Sequence, residues 1–535
     1  MKLLNCSTLR IEDMRPARKQ KLEEQGVSTA YAILSHRWES DEDEVTFEDM
    51  ASAEIRSKKL LGWSKIEKTC TEALRIGIAY AWIDTCCVDK RNLTELTEAI
   101  NSMFKWYAEA EICFAYLSDV DSGGDLTKSV WFTRGWTLQE LIAPGRMEFY
   151  DKHWSTIGSR VDLSQQIQLR TSINAEILRH DSSTRRSIQS LLAGIPVGRR
   201  MSWAADRRAK KEEDRAYSLL GIFGVSMPLL YGEGDRAFLR LQEEIIKETN
   251  DMSLFAWCDS TVTSTDGSAE FRGILTTTPD HFRDCRDLTS LSDLRRGPEF
   301  SMTNKGLRLE SRLFTYDIVG EDTYFLSLGI PRNAKSKSDV LGILLCKLNG
   351  DIFVRTRPDE LRVRHSENNS RPLEKKILFI SKQFTADLLE ETVRIPGRDF
   401  RFSFDTEEPK LIVRVISQAA SRAYWDPDTY RFVSRRLWEF EGSVEVETAT
   451  GKKFVVVCGF DTHNGIWVYL DEGLRDNVPM FYEYKVADET LNSIPVTRIH
   501  FFSTRIRMPL EVTKGACEAN GEKALTMQLS NCKLM

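Results

Sequence analysis

The chain has 535 residues, of which 41% are hydrophobic and 29% are charged. This composition is typical of a water-soluble globular protein, and the length favours roughly two or three domains over a single core. The formal net charge of -6 provides no general attraction for nucleic acid or anionic lipid. No apolar run reaches the roughly eighteen residues of a membrane-spanning helix, and residues 1–13 lack the apolar core of a signal peptide. The sequence therefore predicts a cytoplasmic protein.

The 11 cysteines and 7 histidines are scattered along the chain. Cys86 and Cys87 are adjacent, but no two cysteines have the C-x-x-C spacing that is common in zinc sites. We therefore expect no metal site, and we expect the cysteines to be reduced thiols, as is usual in the cytoplasm.

Between Tyr31 and Tyr150, short β-type runs alternate with segments of helical periodicity. This alternation predicts βαβ units and a mainly parallel sheet whose faces are covered by helices. The third helix is predicted to have Thr133 as its N-cap and to end at Ile142. The predicted strands are Tyr31 to Ser35, Ala79 to Asp84, Ile112 to Leu117 and Met147 to Tyr150, and the first two helices carry apolar stripes over Ile66 to Leu74 and Leu93 to Tyr107.

A helical extension follows this α/β region and is expected to complete its core. Its clearest predicted helices are Arg215 to Phe223 and Asp235 to Lys247. The segment Gly232 to Gly234 has a spacing found in dinucleotide-binding loops, but it follows Pro228 rather than a strand, so we interpret it as a turn.

Beyond about Thr261 the pattern changes to β-type segments separated by turn residues. This pattern predicts an all-β region in which antiparallel sheets form a sandwich-like or barrel-like unit. The segments are Tyr324 to Ile330, Leu341 to Leu345, Leu411 to Ile416, Val444 to Glu447, Phe454 to Phe460 and Ile466 to Leu470.

Four stretches of the N-terminal region form a distinctive set of motifs: Tyr31 to Trp38, Ala81 to Lys90, Ser102 to Tyr107 and Trp131 to Pro144. Together they resemble the heterokaryon-incompatibility (HET) domain of filamentous fungi. Three later segments, Ser202 to Ala205, Glu213 to Gly221 and Met227 to Gly234, resemble the region that often follows this domain. The resemblance predicts a HET domain over residues 1–160 and a helical extension over 161–260, which leaves a β-rich region over 261–535 without an assigned role.

The HET domain is in turn similar to Toll/interleukin-receptor (TIR) domains, which have a flavodoxin-like, mainly parallel sheet. Many TIR domains have a W-C-x-x-E-L motif, and Trp136 to Leu141 has the same spacing with Thr137 in place of the cysteine. Some TIR domains use this glutamate to cleave the nicotinamide-ribose bond of NAD. The resemblance therefore implies that Glu140 is catalytic and that NAD is a substrate rather than a bound cofactor.

The chemistry is consistent with one carboxylate. Nicotinamide leaves as a neutral molecule, so its departure needs little protonation, whereas the oxocarbenium ion that develops on the ribose is stabilised by a nearby negative charge. On a helix, Trp136 lies four residues before Glu140 and on the same side, where an indole stacks on a base or sugar. The sequence alone also allows Glu140 to be an ordinary exposed carboxylate.

The candidate substrate-binding residues follow the ends of two predicted strands, because ligands of open α/β sheets bind beyond the carboxyl ends of the strands. Each residue also has a structural alternative: a histidine that bonds a loop carbonyl, an arginine in a solvated ion pair, a tryptophan in the core, or an aspartate that caps a helix. The candidates are Ser35, His36, Arg37, Trp38, Asp84 and Cys86, together with Trp136.

Two functions fit the resemblance. In the first, the protein is an NAD glycohydrolase that promotes programmed cell death by depleting the cofactor. In the second, the same domain signals without chemistry, by self-association or by binding a protein partner. The two differ at Glu140, which only the first makes essential. The β-rich region contains no catalytic motif, and we expect it to sense a partner or to restrain the N-terminal domain.

Overall fold

A computed structural model of the chain describes residues 1–385 apart from residue 53 and the segments 182–185, 262–270, 290–296, 317–322, 334–335, 350, 366–372 and 374. Between residues 400 and 529 it describes the backbone of individual strands. The hydrophobic core is continuous across the first of these parts, from Leu3 to Ile380. The N-terminal region, the extension and the beginning of the β-rich region are therefore packed together.

Seven strands of the N-terminal region form one mixed sheet in the order β2-β1-β4-β3-β5-β6-β7. Strands β4, β3, β5 and β6 run parallel, while β1, β2 and β7 add antiparallel edges. In the parallel part, β3 comes first in the chain and lies between β4 and β5, as in flavodoxin-like sheets. The relationship to TIR domains stays a prediction. The strands are β1 (Lys2–Asn5), β2 (Arg10–Asp13), β3 (Tyr31–His36), β4 (Tyr80–Trp82), β5 (Ile112–Tyr116), β6 (Met147–Tyr150) and β7 (Thr156–Ser159).

The four predicted strands of this sheet are confirmed. Strand β6 has the predicted bounds, β3 is one residue longer and ends at His36, and β4 is shorter, with pairing confined to Tyr80–Trp82. All the residues of β3 and β4 are buried. This explains why both read as continuous apolar runs, since a parallel sheet is covered on both faces.

The two long helices of the N-terminal region bury most of the predicted apolar stripes, but Leu74 and Leu93 at the ends of these stripes are exposed. The side chain of Asn92 caps α4 by accepting hydrogen bonds from the backbone N–H groups of Thr94 and Glu95. The helices are α1 (Pro16–Glu24), α2 (Ile55–Lys58), α3 (Leu60–Arg75), α4 (Leu93–Glu109) and α5 (Thr137–Ile142).

The predicted start of the third helix is wrong. Helix α5 begins at Thr137, and Thr133 instead ends a short 3-10 helix, Val130–Thr133. The Thr133 hydroxyl donates to the carbonyl of Val130, and the backbone around Thr133 and Gly135 pairs with Arg208. This long-range pairing uses the backbone groups that a helix would need.

The extension contains short helices and one long one. The predicted helix Arg215 to Phe223 is divided into α10 and α11, which end before Gly224 in the left-handed conformation (φ 70°). The predicted helix Asp235 to Lys247 is confirmed as α12. The helices are α6 (Ser164–Thr171), α7 (Ala175–Leu178), α8 (Ile188–Leu192), α9 (Val197–Ser202), α10 (Asp214–Tyr217), α11 (Leu220–Phe223) and α12 (Arg236–Glu248).

The segment from Gly232 to Gly234 forms a turn, as interpreted from the sequence. Its two glycines have positive φ values, 101° and 58°. Their N–H groups donate to the carboxylate of Glu213 at 2.6 and 3.1 Å. An internal carboxylate therefore takes the place that a phosphate has in a dinucleotide-binding loop.

The C-terminal region is rich in β-sheet. One sheet has the path β11-β12-β13-β14-β16-β10-β9, with β8 and β15 beside it, and two further sheets have the orders β19-β20-β17-β26-β25 and β18-β21-β22-β23-β24. Most neighbours are antiparallel, but β14 and β16, and likewise β17 and β26, are parallel. The packing of these sheets as a sandwich stays a prediction.

The predicted segments of the β-rich region coincide with described strands, except that Leu411 lies outside the described residues. The strands are β8 (Phe271–Arg272), β9 (Phe300–Thr303), β10 (Gly306–Ser311), β11 (Leu313–Tyr316), β12 (Thr323–Asn333), β13 (Ser336–Asn349), β14 (Ile352–Thr356), β15 (Arg362–Arg364), β16 (Lys376–Ile380), β17 (Phe400–Phe404), β18 (Ile412–Gln418), β19 (Ala423–Asp426), β20 (Arg431–Ser434), β21 (Phe440–Glu447), β22 (Lys453–Asp461), β23 (Gly465–Asp471), β24 (Tyr484–Lys485), β25 (Leu510–Ala516) and β26 (Lys523–Leu529).

The buried arginine Arg355 of β14 joins the extension to the β-rich region. Its guanidinium donates to the carbonyls of Phe255 and Trp257 at 3.2 and 2.5 Å and stacks on the indole of Trp257. These contacts connect residues about a hundred positions apart in the chain.

None of the helices in the described residues is long and apolar enough to cross a membrane.

A second buried arginine, Arg160, fixes the end of α5. Its guanidinium donates to the carbonyls of Leu141 and His180 at 2.8 and 2.5 Å, and lies 3.4 Å from those of Ile142 and Gly145. Carbonyls at a helix end have no partner within the helix. Arg160 therefore satisfies the end of α5 and ties it to the extension.

We expect Arg160→Lys to lower the free energy of unfolding by about 2 kcal/mol, because one ammonium group cannot replace the planar set of donors that reaches four carbonyls. Urea unfolding measures this change. The control is Arg146→Lys at an exposed ion pair with Glu148, which should change stability by less than about 0.5 kcal/mol. Equal effects at the two positions would contradict the assigned role of Arg160.

Candidate functional site

The carboxylate of Asp84, two residues beyond β4, is held by two side chains from the end of β3 and the loop after it. His36 Nε2 lies 3.1 Å from Oδ1, and Trp38 Nε1 donates to Oδ2 at 2.8 Å. Burial acts to raise the pKa of Asp84, but the hydrogen bond and charge of His36 outweigh it and lower the pKa to about 2. Asp84 is therefore ionised at neutral pH, and 21% of its side chain is exposed.

A buried ion pair holds the loop that carries Trp38. Lys65 Nζ of α3 lies 2.6 Å from a carboxylate oxygen of Glu44 and donates to the carbonyl of Arg37 at 3.3 Å. On the indole itself, Lys90 Nζ lies 3.5 Å from the centroid of the Trp38 ring, a cation-π contact. The indole is therefore in contact with a carboxylate and with an ammonium group.

Glu140 of α5 faces the end of β3 from inside the domain. Ser35 Oγ donates to Glu140 Oε2 at 2.5 Å and accepts from Trp131 Nε1 at 2.9 Å. Glu140 is only 7% exposed, Ser35 is fully buried and Trp131 is 1% exposed. The alternative that Glu140 is an ordinary surface carboxylate is therefore wrong.

A tyrosine completes the surroundings of Glu140. The Tyr107 hydroxyl of α4 donates to the carbonyl of Leu34 at 3.0 Å, and the same hydroxyl acts to lower the pKa of Glu140. Burial raises the pKa of Glu140 to about 8, and the negative charge of Asp84 adds to this rise. The hydrogen bond from Ser35 acts in the opposite direction. A protonated Glu140 therefore accepts the hydrogen bond of Ser35 and keeps its own proton in a buried site.

The candidate residues thus form two groups at the carboxyl ends of β3 and β4, one around Asp84 and one around Glu140. Arg37, Cys86 and Trp136 join neither group through their described contacts. Arg37 is exposed, and Cys86 is fully buried with its thiol pKa raised by contact with Cys87 and by burial. Trp136 is half-buried, and it acts to lower the pKa of Asp214 of α10 against the effect of burial.

The sequence reasoning missed three residues of these groups: Trp131, Tyr107 and Lys90. The indole linked to Glu140 belongs to Trp131, five residues before Trp136, and reaches it through Ser35. Each of the three lies within a motif stretch, which was the available signal. Their roles depend on contacts between distant segments, such as the 96 positions between Ser35 and Trp131.

No group of three or more His, Cys, Asp or Glu side chains among the described residues could hold a metal ion. The chemistry available to these groups is that of two carboxyls in different protonation states, with aromatic rings and one histidine beside them.

The heterokaryon incompatibility protein (HET) family matches residues 31–130. These residues include strands β3 to β5, the carboxyl ends of β3 and β4, and Asp84. The chain carries a HET domain. A domain of unknown function, DUF8212, matches residues 236–305 and so extends from α12 into the β-rich region. The predicted boundary at residue 260 lies inside that match.

A relative supports this assignment. The chain is 46% identical over 230 residues to the vegetative incompatibility protein HET-E-1 of Podospora anserina, an alignment that covers 41% of this chain. The chain spans only 16% of the length of that relative. Among solved structures, a lectin of Xerocomus chrysenteron matches 26% of this chain and 99% of the lectin chain, at 11% identity. The TM-score of this match is 0.17, which supports no conclusion about the fold.

The pKa of Glu140 makes the stability of the protein depend on pH. The folded state keeps the proton up to about pH 8, while an unfolded chain loses it near its ordinary value of 4.5. The stabilisation is thus complete below about pH 4.5 and is lost as pH rises through 8. Over this window we expect the free energy of unfolding of the wild type to fall more than that of Glu140→Gln, whose amide stays neutral. The difference should be on the order of 4 kcal/mol.

Urea unfolding between pH 5 and pH 8.5 measures this difference. Glu67→Gln, a neutralisation of the same kind at an exposed position of α3, should follow the wild-type curve. Parallel curves for wild type and Glu140→Gln would show that Glu140 is ionised in the folded protein.

Proposed function

We propose that the protein acts in heterokaryon incompatibility in the cytoplasm, where recognition of non-self leads to programmed cell death. The observation that carries this proposal is the HET domain over residues 31–130, together with the 46% identity to a vegetative incompatibility protein. The N-terminal domain is the effector in this proposal.

In the proposed mechanism the effector cleaves the nicotinamide-ribose bond of NAD, with Glu140 as the catalytic carboxylate. The support comes from its position at the carboxyl end of β3 and from its pKa near 8. A group with this pKa is neutral at rest and ionises when a positive charge arrives beside it. The cationic nicotinamide ring provides such a charge, and the carboxylate then stabilises the oxocarbenium ion on the ribose.

Activation in this mechanism includes an opening step. Glu140 is 7% exposed, so a nucleotide sugar reaches it only after the surrounding side chains move. Trp38 and the loop that carries it form the partly exposed side of the two groups. We propose that self-association or a protein partner causes this movement, which makes cleavage conditional on recognition.

A second candidate is a signalling module without chemistry. The observation that favours it is the buried chain of hydrogen bonds in which Trp131 donates to Ser35 and Ser35 donates to Glu140. Such a network is self-sufficient and stabilises α5 against β3. In this candidate the domain acts by self-association, and Glu140 is a structural residue.

The release of nicotinamide from NAD distinguishes the two candidates. We expect wild-type protein, purified and assembled at high concentration, to release nicotinamide, and we expect Glu140→Gln to lower the rate at least about 100-fold, because an amide cannot stabilise the oxocarbenium ion. The amide oxygen still accepts the hydrogen bond from Ser35, so the variant stays folded. Chromatography of the products measures the rate.

Glu67→Gln serves as the matched control and should retain the wild-type rate, because Glu67 is exposed on α3. If Glu140→Gln cleaves NAD as fast as wild type, Glu140 has no catalytic role. If wild type in every assembly state leaves NAD intact while still causing cell death, the signalling module is the function.

For the β-rich region we propose restraint of the effector until a partner is sensed. The described strands beyond residue 399 form sheets of their own, whereas the described residues before 386 share one core that includes Leu3 and Ile380. A truncation at residue 261 would expose Trp257 and remove Arg355, so the informative truncation lies at residue 385.

Removal of residues 386–535 is expected to increase cell death on expression in a fungal host, measured as loss of viable colonies. The same truncation with Glu140→Gln should be harmless if death depends on cleavage. A truncated protein that is soluble and unfolds cooperatively but is no more toxic than the full chain would contradict restraint.

A further inference from the structure

His36 has one ring nitrogen in use and one without a partner. The residue is 5% exposed, and its Nε2 lies 3.1 Å from Asp84. Its Nδ1 is buried and has no hydrogen-bond partner among the described residues. Buried polar atoms are nearly always paired, and an unpaired one costs about 1–3 kcal/mol. An unpaired nitrogen in a buried position therefore points to a group that it meets during function.

The protonation of Asp84 fixes the tautomer of His36. Asp84 is ionised, with a pKa of about 2, and a carboxylate only accepts hydrogen bonds. Nε2 must therefore carry the hydrogen that it shares with Asp84. In the neutral ring Nδ1 then carries a lone pair and is a proton acceptor.

The carboxylate is itself held in place. Trp38 Nε1 donates to Oδ2, so Asp84 cannot rotate away from His36 without breaking a second hydrogen bond. A histidine that is oriented by a fixed carboxylate on one nitrogen and is free on the other has the arrangement of a general base, because the imidazolium that forms is stabilised by the carboxylate.

Two more buried polar atoms, in β4 and just after it, lack partners among the described residues. These are the Thr85 hydroxyl, next to Asp84 in the chain, and the Trp82 indole nitrogen at the end of β4. Both belong to the strand end that pairs with β3. The carboxyl ends of β3 and β4 therefore hold a set of unpaired donors and acceptors rather than one isolated atom.

We propose that His36, oriented by Asp84, is the catalytic base that takes a proton from the attacking water during cleavage of NAD. The inference rests on the proposed function. The C1′–N bond breaks with its electron pair going to nicotinamide, which leaves neutral. The water oxygen then bonds to C1′, and one of its protons goes to His36 Nδ1.

Two neighbouring residues of β3 contact the two carboxyl groups of the site. Ser35 contacts Glu140 on one side of the strand, and His36 contacts Asp84 on the other, since successive residues of a strand face opposite ways. The two carboxyl groups therefore approach the end of β3 from opposite sides. In the proposed step the ribose lies beyond this strand end, where His36 and Glu140 reach the same carbon from either side.

An anionic nucleophile tests the base directly, because azide attacks the ribose without losing a proton. We expect His36→Gln to lower hydrolysis about 100-fold or more while ADP-ribosyl azide forms at close to the wild-type rate. The ratio of azide product to hydrolysis product should therefore rise at least about 10-fold. His153→Gln, at an exposed histidine, should leave this ratio unchanged.

A structural loss alone would lower both products together and leave the ratio at its wild-type value, which would overturn the base role while the proposed cleavage of NAD stands. Asp84→Asn provides a second variant: it should raise the same ratio, since an amide no longer fixes the tautomer. Failure of the wild-type protein to cleave NAD overturns both the base role and the proposed function.

The tautomer has a readout that needs no activity. Imidazole nitrogen shifts of protein labelled with 15N-histidine, assigned by their loss in His36→Gln, should show Nε2 protonated and Nδ1 with a free lone pair. Protonation at Nδ1 with a bare Nε2 overturns the proposal, whatever the enzyme does to NAD.

Discussion

The buried hydrogen bond between Ser35 and Glu140 is the interaction on which the site depends. It joins the end of a central strand to α5, the helix that carries Glu140, and Trp131 donates to the serine as well. Burial makes the ionised form of Glu140 expensive and outweighs the bond from Ser35, which favours that form. The resting HET domain is thus most stable with Glu140 protonated, and any process that ionises this group acts against the effect of burial.

The surroundings of the two carboxyl groups at this end of the sheet shift their pKa values in opposite directions. Asp84 is partly exposed and has two donors and a cationic neighbour, whereas Glu140 is enclosed and gains a further rise in pKa from the charge of Asp84. Pairs of acids whose pKa values are pushed apart are typical of acid-base sites. They are also found in structural networks, so the pairing of His36 with Asp84 and its unused nitrogen provide the stronger argument for chemistry.

The sequence could predict the strands because burial on both faces leaves continuous apolar runs, and β6 has the predicted bounds. It could also place Ser35, His36, Trp38 and Asp84 together, since parallel strands present their carboxyl ends at one edge. It could not predict that α5 begins only at Thr137, because pairing with Arg208 decides that start. Nor could spacing distinguish Trp136 from Trp131, since both lie near Glu140 in the chain and only tertiary packing selects the second.

The extension explains why motifs beyond the HET domain accompany it in this chain. Arg207 is buried and donates to the carbonyl of Arg134 and to the hydroxyl of Thr137, at the beginning of α5. Arg160 donates to carbonyls at the end of the same helix. Two buried guanidinium groups thus fix both ends of a helix of only six residues, which is too short to be stable alone. The position of Glu140 is therefore determined largely outside residues 31–130, and a change in the extension or in the β-rich region packed on it can reach the site through these arginines.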